Sequence, residues 1–219
     1  MKKWFCFAVS LIAAVSVLSC TKIFGDDDPQ VPVTGEGETF VFDCPEAYGY
    51  FNGQYEDNDG NPIPYDSYRI ELDSDGISYS NSGYAGTGYV AWIDIDTAHS
   101  ETLSIPSGTY SSDSDRNGNF YAYPGEIVVS GGYGNIYPAF IAKYVNSQLE
   151  LILATKVKLT VSVSGANYIL KATLEGEDSN IFVFNYYGNF EIYDYTLPDT
   201  EEESFLFENV KQVHRSLQK

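Results

Sequence analysis

The chain has 219 residues, with 31 acidic and 12 basic side chains and a formal net charge of -19. This balance argues against nucleic acid as a partner, because a protein that binds phosphates needs a cluster of Lys and Arg side chains and the twelve here form none. Two His and three Cys residues leave few ligands for zinc, haem or iron–sulfur clusters.

The N-terminus has the pattern of a secretory signal peptide. A short basic start, Lys2 and Lys3, precedes an apolar run over residues 4–18, which is shorter than the ~20 residues that a membrane-spanning helix needs. The run ends in Val17, Leu18, Ser19 and Cys20, an order that resembles the lipobox of bacterial lipoproteins. In that group the signal is cut before the cysteine, and the thiol carries the lipid. We therefore predict a signal peptide over residues 1–19 and lipidation of Cys20.

Residues 20–37 are predicted to be a flexible acidic tether. Three consecutive aspartates (26–28), two prolines and scattered glycines cannot pack into a core. The acidic run resembles the export signal that sends certain Gram-negative lipoproteins to the outside of the outer membrane; the alternative is a solvated linker. No aspartate directly follows Cys20, so nothing indicates retention in the inner membrane. We expect a lipid-anchored protein of the outer membrane, exposed at the cell surface.

Residues 38–199 are predicted to form a single β-domain. Polar and apolar residues alternate over Lys156–Ser164, Asn167–Glu175 and Ser67–Leu72, which is typical of half-buried antiparallel strands. Further strands are expected near 39–43, 48–55, 88–96, 119–123, 126–130, 137–144, 148–154, 180–187 and 189–195, separated by turn pairs such as Asp59–Gly60. We predict an all-β fold, an antiparallel β-sandwich with a β-barrel as the alternative, because strand count does not separate the two.

The C-terminal residues 200–219 have the only helical pattern outside the signal peptide. Thr200 and Glu203 fit a capping box, and Val210, Val213 and Leu217 recur at helical spacing. We expect a short helix there that covers a sheet edge; the alternative is one more strand at Ser204–Phe207 followed by a frayed tail.

The segment 113–119 has the oxygen spacing of the first half of a calcium loop. Its candidate ligands are Asp113, Asp115, Asn117 and Asn119, and Gly118 would permit the sharp turn. The twelfth position is Pro124 rather than a glutamate, so the segment is not an EF-hand. We favour a polar hairpin turn without a cofactor, and keep calcium as the alternative.

Aromatic residues are abundant, and Trp92 is the most informative of them. Alternation over residues 88–96 places Trp92 beside Val90, Asp94 and Asp96. An exposed ring next to Asp94 could stack on a sugar and accept its hydroxyl hydrogen bonds. Because Val90 shares the face, we favour a Trp92 ring that lies under a loop or a sheet edge. Tyr133 and Tyr137, in the glycine-rich stretch 131–137, form a second candidate binding loop.

The sequence offers little for catalysis. Neither a Gly-x-Ser-x-Gly nor a His-Glu-x-x-His motif is present, and His99 and His214 fall in a predicted loop and tail. Two carboxylates suffice for a glycosidase, but nothing singles out a pair among 31 acids. We do not expect an enzyme.

Taken together, these motifs resemble a broad group of uncharacterised Gram-negative surface lipoproteins. The resemblance is carried by Val17–Cys20, the acidic tether, and the strand-and-turn stretches Leu103–Tyr110 and Val161–Tyr168. Many of that group accompany glycan-uptake systems, so the resemblance implies a β-sandwich-like domain that binds a polysaccharide. We expect a monomeric domain that binds an extracellular ligand, with a structural or adhesive, fimbria-like subunit as the alternative.

Overall fold

A computed structural model describes residues 37–80, 83–114, 120–130 and 133–197, and every regular element in these ranges is a β-strand. The predicted signal peptide, Cys20, nearly all of the tether and the C-terminal helix lie outside the described residues. The strands are β1 (Thr39–Cys44), β2 (Glu46–Glu56), β3 (Pro62–Asp73), β4 (Ile77–Ser80), β5 (Gly83–Gly86), β6 (Gly88–Ala98), β7 (Gly108–Ser111), β8 (Tyr121–Ala122), β9 (Glu126–Ser130), β10 (Tyr133–Tyr137), β11 (Phe140–Val145), β12 (Gln148–Ser164), β13 (Asn167–Gly176), β14 (Ile181–Gly188) and β15 (Glu191–Asp194).

Five of the strands close into a ring. β11 pairs with both β6 and β12, β12 also pairs with β7, and β8 joins β7 to β6. The other strands of this sheet extend from the ring as β13, β14 and β1 on one side and as β3, β2 and β15 on the other. The prediction of an all-β fold is confirmed, and the closed ring corresponds to the barrel alternative.

Strand β12 connects the ring to the strands β13, β14 and β1 that extend from it. The sequence predicts two strands, 148–154 and 156–164, but the structure has one strand of 17 residues. Its first part pairs with β11, and its second part pairs with β7. A register shift in the pairing with β13 lies between Ala154 and Lys156, where the predicted boundary falls. The single strand therefore pairs with β11 and β7 inside the ring and with β13 outside it.

Three strand pairs are parallel, which differs from the fully antiparallel prediction. They are β1 with β14, β15 with β2, and β7 with β8. Alternation along one strand reports which face is buried but carries no information about the direction of its neighbour. The stretch 131–137 is also corrected, because residues 133–137 form strand β10 of a hairpin with β9 rather than a loop.

The main core lies where the inward faces of the sheet meet. The predicted inward residues of β13, Leu170, Ala172 and Leu174, are fully buried there, as are Ile93 and Ile95 of β6. A second buried cluster lies on the other face of β6; it contains Val90, Trp92, Phe140, Ala142 and Tyr144. Strand β6 is thus covered on both faces, although its alternating sequence is typical of a strand with one face in water.

Leu159→Ala in β12 should destabilise the protein by about 2–5 kcal/mol, because the Leu159 side chain is fully buried in the main core and its removal leaves a cavity. Val163→Ala in the same strand is the matched control. Val163 is 45% exposed, so we expect its substitution to cost less than about 1 kcal/mol. Urea unfolding measures both values, and equal costs would contradict the assigned register of β12.

Candidate functional site

The outward face of β6 changes character along its length. Val90 and Trp92 belong to the second buried cluster, whereas Asp94 and Asp96 continue the same face towards the end of the strand. The Trp92 ring stacks between Tyr50 and Phe140, at centroid distances of 6.4 and 6.0 Å, and the residue is only 7% exposed. This agrees with the favoured interpretation of a covered Trp92 ring, and it corrects the alternative of a sugar-stacking ring, because aromatic neighbours and Arg69 cover the Trp92 side chain.

Arg69 of β3 links Trp92 to Asp94. Its guanidinium carbon lies 5.6 Å from the centroid of the Trp92 ring, within the range of a cation–π contact. Nε and Nη2 of Arg69 donate to the two carboxylate oxygens of Asp94 at 2.7 and 3.0 Å. Burial acts to lower the pKa of Arg69, but Asp94 outweighs it and the pKa is raised. Arg69 therefore stays charged and holds the Asp94 carboxylate in one orientation.

An open pocket of ≈ 380 Å³ lies beside Asp94. We call it the hairpin pocket, because part of its lining comes from the base of the β9–β10 hairpin. Two prolines complete a lining that is otherwise formed by Tyr55, Ser67, Asp94, Tyr123, Glu126 and Tyr137. Of the candidate ligand-binding residues, Asp94 and Tyr137 thus meet in one pocket. Tyr133 lies at the other end of β10, opposite Ser130.

The mouth of the hairpin pocket combines an aromatic ring with a carboxylate. Glu126 and Tyr137 are partners in the β9–β10 register, so they lie side by side at the base of the hairpin. Both are exposed, and Tyr137 shows 49% of its surface. This pair can contact a ligand through a flat apolar face and a charged acceptor at once.

A buried carboxylate holds two tyrosines in the wall of the hairpin pocket. The hydroxyls of Tyr55 and Tyr123 donate to the two oxygens of Asp96 at 2.9 and 2.6 Å, and Asp96 itself is 3% exposed. Burial raises the pKa of Tyr55, so its hydroxyl stays neutral at physiological pH. Nothing in the sequence distinguishes Tyr55 and Tyr123 from the other tyrosines, because their common partner is reached from two distant segments.

Glu71 and Asp73, at the end of β3, form a buried carboxyl pair outside the hairpin pocket. Glu71 accepts hydrogen bonds from the hydroxyls of Tyr50, at 2.9 Å, and Tyr84, and it shares a further hydrogen bond with Asp73. Burial raises the pKa of Glu71, and it raises the pKa of Asp73 to about 9. Two carboxyl groups can hydrogen-bond to each other only if one of them carries a proton, so the contact between Glu71 and Asp73 implies one proton shared by the pair.

His99 has a partner that its predicted loop position did not reveal. Its Nδ1 lies 2.8 Å from Oδ1 of Asp66, a fully buried carboxylate that also accepts the backbone N–H of Ser100. This hydrogen bond raises the pKa of His99. The pair links the segment after β6 to the first half of β3.

The described part of the calcium-like segment shows an ordinary turn. Asp113 is exposed, and its backbone N–H donates to Ser111 Oγ at 3.1 Å. The other candidate ligands, Asp115, Asn117 and Asn119, lie outside the described residues. Among the side chains that are described, no group of three or more His, Cys, Asp or Glu is arranged to hold a metal ion.

Comparisons of the chain with protein-family models, curated proteins and solved structures found no match. In the ranges that the structure describes, no helix has the length and hydrophobicity to span a membrane.

Asp73→Asn should stabilise the protein most at alkaline pH. Burial raises the pKa of Asp73 from 3.8 to about 9, so the folded state binds more protons than the unfolded state between these values. The free energy of unfolding therefore falls as pH rises through this window. Asparagine keeps the shape of the protonated acid and loses no proton. At about pH 8 we expect the Tm of the variant to exceed that of the wild type by at least about 3 °C, and the gain to shrink towards about pH 4.

Asp59→Asn, in the exposed β2–β3 turn, is the matched control and should leave the pH dependence of Tm unchanged. Thermal unfolding followed by circular dichroism measures all three proteins. A lower Tm for Asp73→Asn at alkaline pH, or a gain that is equal at both ends of the pH range, would contradict the shared proton.

Proposed function

We propose that this chain is a lipid-anchored lipoprotein of the outer membrane whose β-domain binds a glycan in the hairpin pocket. The observation that carries the proposal is the lining of this pocket, where three tyrosines, two carboxylates and a serine converge. Sugars present apolar faces to flat rings and hydroxyl groups to hydrogen-bonding side chains, so a lining of this composition suits them. The volume of ≈ 380 Å³ falls within the range of small-ligand sites.

The geometry of the hairpin pocket also supports a preformed site. Arg69 fixes Asp94 through two hydrogen bonds, and Asp96 fixes Tyr55 and Tyr123. Side chains that are already held in one rotamer lose little conformational entropy when a ligand binds. Glu126 and Tyr137 at the mouth are exposed, so a chain longer than the pocket can continue past them.

The anchor is supported by the sequence Val17–Cys20, and the acidic tether would hold the domain away from the membrane. A lipid-anchored binding domain acts at the cell surface, where it would capture polysaccharide for uptake by other proteins. No catalytic step is part of this proposal.

Cys20→Ala should move the chain from the membrane fraction to the soluble fraction, because the thiol of Cys20 would carry the acyl chains that hold the protein in the bilayer. Cys44→Ala is the matched control. Cys44 is 8% exposed and lies in the main core, so its substitution should leave the protein in the membrane fraction. Cell fractionation and incorporation of labelled palmitate measure both. Palmitate incorporation that persists in Cys20→Ala would contradict the anchor.

Native affinity electrophoresis of the full chain, in a non-ionic detergent, should show retardation by at least one polysaccharide from a panel of neutral, amino and acidic glycans. Tyr137→Ala should weaken that retardation about tenfold, because it removes the exposed aromatic face of the hairpin pocket. The Tyr137 side chain is half exposed, so its loss should not unfold the protein.

Tyr187→Ala is the matched control, since Tyr187 is 51% exposed and does not line the hairpin pocket. It should leave the retardation unchanged. If no glycan retards the protein, the glycan-binding proposal is wrong and the structural or adhesive alternative is favoured. If retardation is equal in wild type and Tyr137→Ala, the glycan binds elsewhere.

A further inference from the structure

The hydrogen-bonding groups in the wall of the hairpin pocket are mainly acceptors. A tyrosine hydroxyl has one proton, and Tyr55 and Tyr123 both give theirs to Asp96. Their oxygens lie 3.2 Å apart. With both protons directed at Asp96, neither hydroxyl has a proton to donate to a ligand, and the carboxylate oxygens of Asp94 and Glu126 accept hydrogen bonds. The described lining therefore suits a ligand that donates hydrogen bonds.

The charge of the lining is negative. Asp94 and Glu126 both line the hairpin pocket, and none of the described residues that line it is Lys, Arg or His. Arg69 is the nearby cation of this face, but two of its donors are directed at Asp94 and its plane lies over Trp92. The Arg69–Asp94 pair is close to neutral, which leaves Glu126 as the other charged group of the described lining. An anionic sugar would meet like charges here.

Glu126 and Tyr137, at the mouth of the hairpin pocket, are suited to bind a cation. Glu126 is an exposed carboxylate that can accept charge-assisted hydrogen bonds, and the Tyr137 ring beside it can take an ammonium group on its face. Asp94 adds a second carboxylate to the lining. Carboxylates beside an exposed aromatic ring are the elements of an ammonium site.

We propose that the hairpin pocket binds an amino glycan, a sugar chain that carries protonated amines, in preference to neutral and acidic glycans. This inference rests on the proposed function and names its substrate class. The ammonium group lies with Glu126 and Tyr137, and the sugar hydroxyls donate to Asp94. The net charge of -19 adds a favourable field for a cationic chain, but that field is not specific to the pocket.

The experiment compares two short probes that differ only in the acetyl groups on nitrogen: the trisaccharide of glucosamine and the trisaccharide of N-acetylglucosamine. Isothermal titration calorimetry is performed on the full chain in a non-ionic detergent, at mildly acidic pH so that the amines are protonated. We expect the amine form to bind about tenfold more tightly, the effect of one charge-assisted hydrogen bond. A trisaccharide of galacturonate, which is anionic, should bind more weakly than either.

Glu126→Gln separates the hairpin pocket from the general field. Glutamine keeps the shape of Glu126 and removes its charge, so the preference for the amine form should fall to about threefold or less. Glu177→Gln is the matched control, because it removes one exposed charge that does not line the pocket. It should retain the full preference.

The possible outcomes distinguish failure of the amino-glycan inference from failure of the proposed glycan binding. Equal affinity for the two glucosamine probes, or a preference that is the same in Glu126→Gln and in Glu177→Gln, would overturn the amino-glycan inference. In that case glycan binding still stands if the panel polysaccharides retard the protein and Tyr137→Ala weakens the effect. If neither probe binds and no polysaccharide retards the protein, both the inference and the proposed function are wrong.

Discussion

The burial of strand β6 on both faces is the constraint on which the rest of this structure depends. One face lies in the main core, and β11 brings Phe140 against Trp92 on the other. The polar residues of that second face, Asp94 and Asp96, are therefore withdrawn from bulk water and need partners. Arg69 and two tyrosine hydroxyls supply them. Strand β8, which closes the ring by pairing with Ile95 and Asp96, is followed directly by Tyr123, which donates to Asp96 in the polar network of the hairpin pocket.

Asp94 and the Glu71–Asp73 pair are neighbouring carboxyl groups that are stabilised in different ways. Asp94 accepts two hydrogen bonds from Arg69, whereas Glu71 and Asp73 have mainly neutral partners and raised pKa values. Arg69 lies on β3 two residues before Glu71, but the two donors that point at a carboxylate are directed at Asp94. Leaving the Glu71–Asp73 pair without such a partner lowers stability at neutral pH. The same arrangement holds the Asp94 carboxyl in one orientation beside the pocket.

Alternation in the sequence predicted most of the strands and the buried faces of β6 and β13, because burial repeats every second residue within one strand. Ring closure was predicted only as the barrel alternative, and the strands that close the ring, the parallel pairs and the short strands β4, β5 and β7 were not predicted, since they depend on which distant segments pair. Of the pocket, Asp94 and Tyr137 were among the candidates. Tyr55, Tyr123 and Glu126 were missed, because their roles come from contacts with Asp96 and with Tyr137 across separate segments.

The outward face of β6 explains why Trp92 is buried, as the presence of Val90 on the same face favours, while its neighbour Asp94 lines a pocket. This face runs from Val90 and Trp92, which are covered, to Asp94 and Asp96, where the cover ends in the hairpin pocket. Trp92 acts on the pocket indirectly. Its ring makes a cation–π contact with the guanidinium of Arg69, and Arg69 in turn orients Asp94. Trp92 is thus a positioning residue, and loss of its ring would disturb the pocket through Arg69 and through packing rather than through a lost ligand contact.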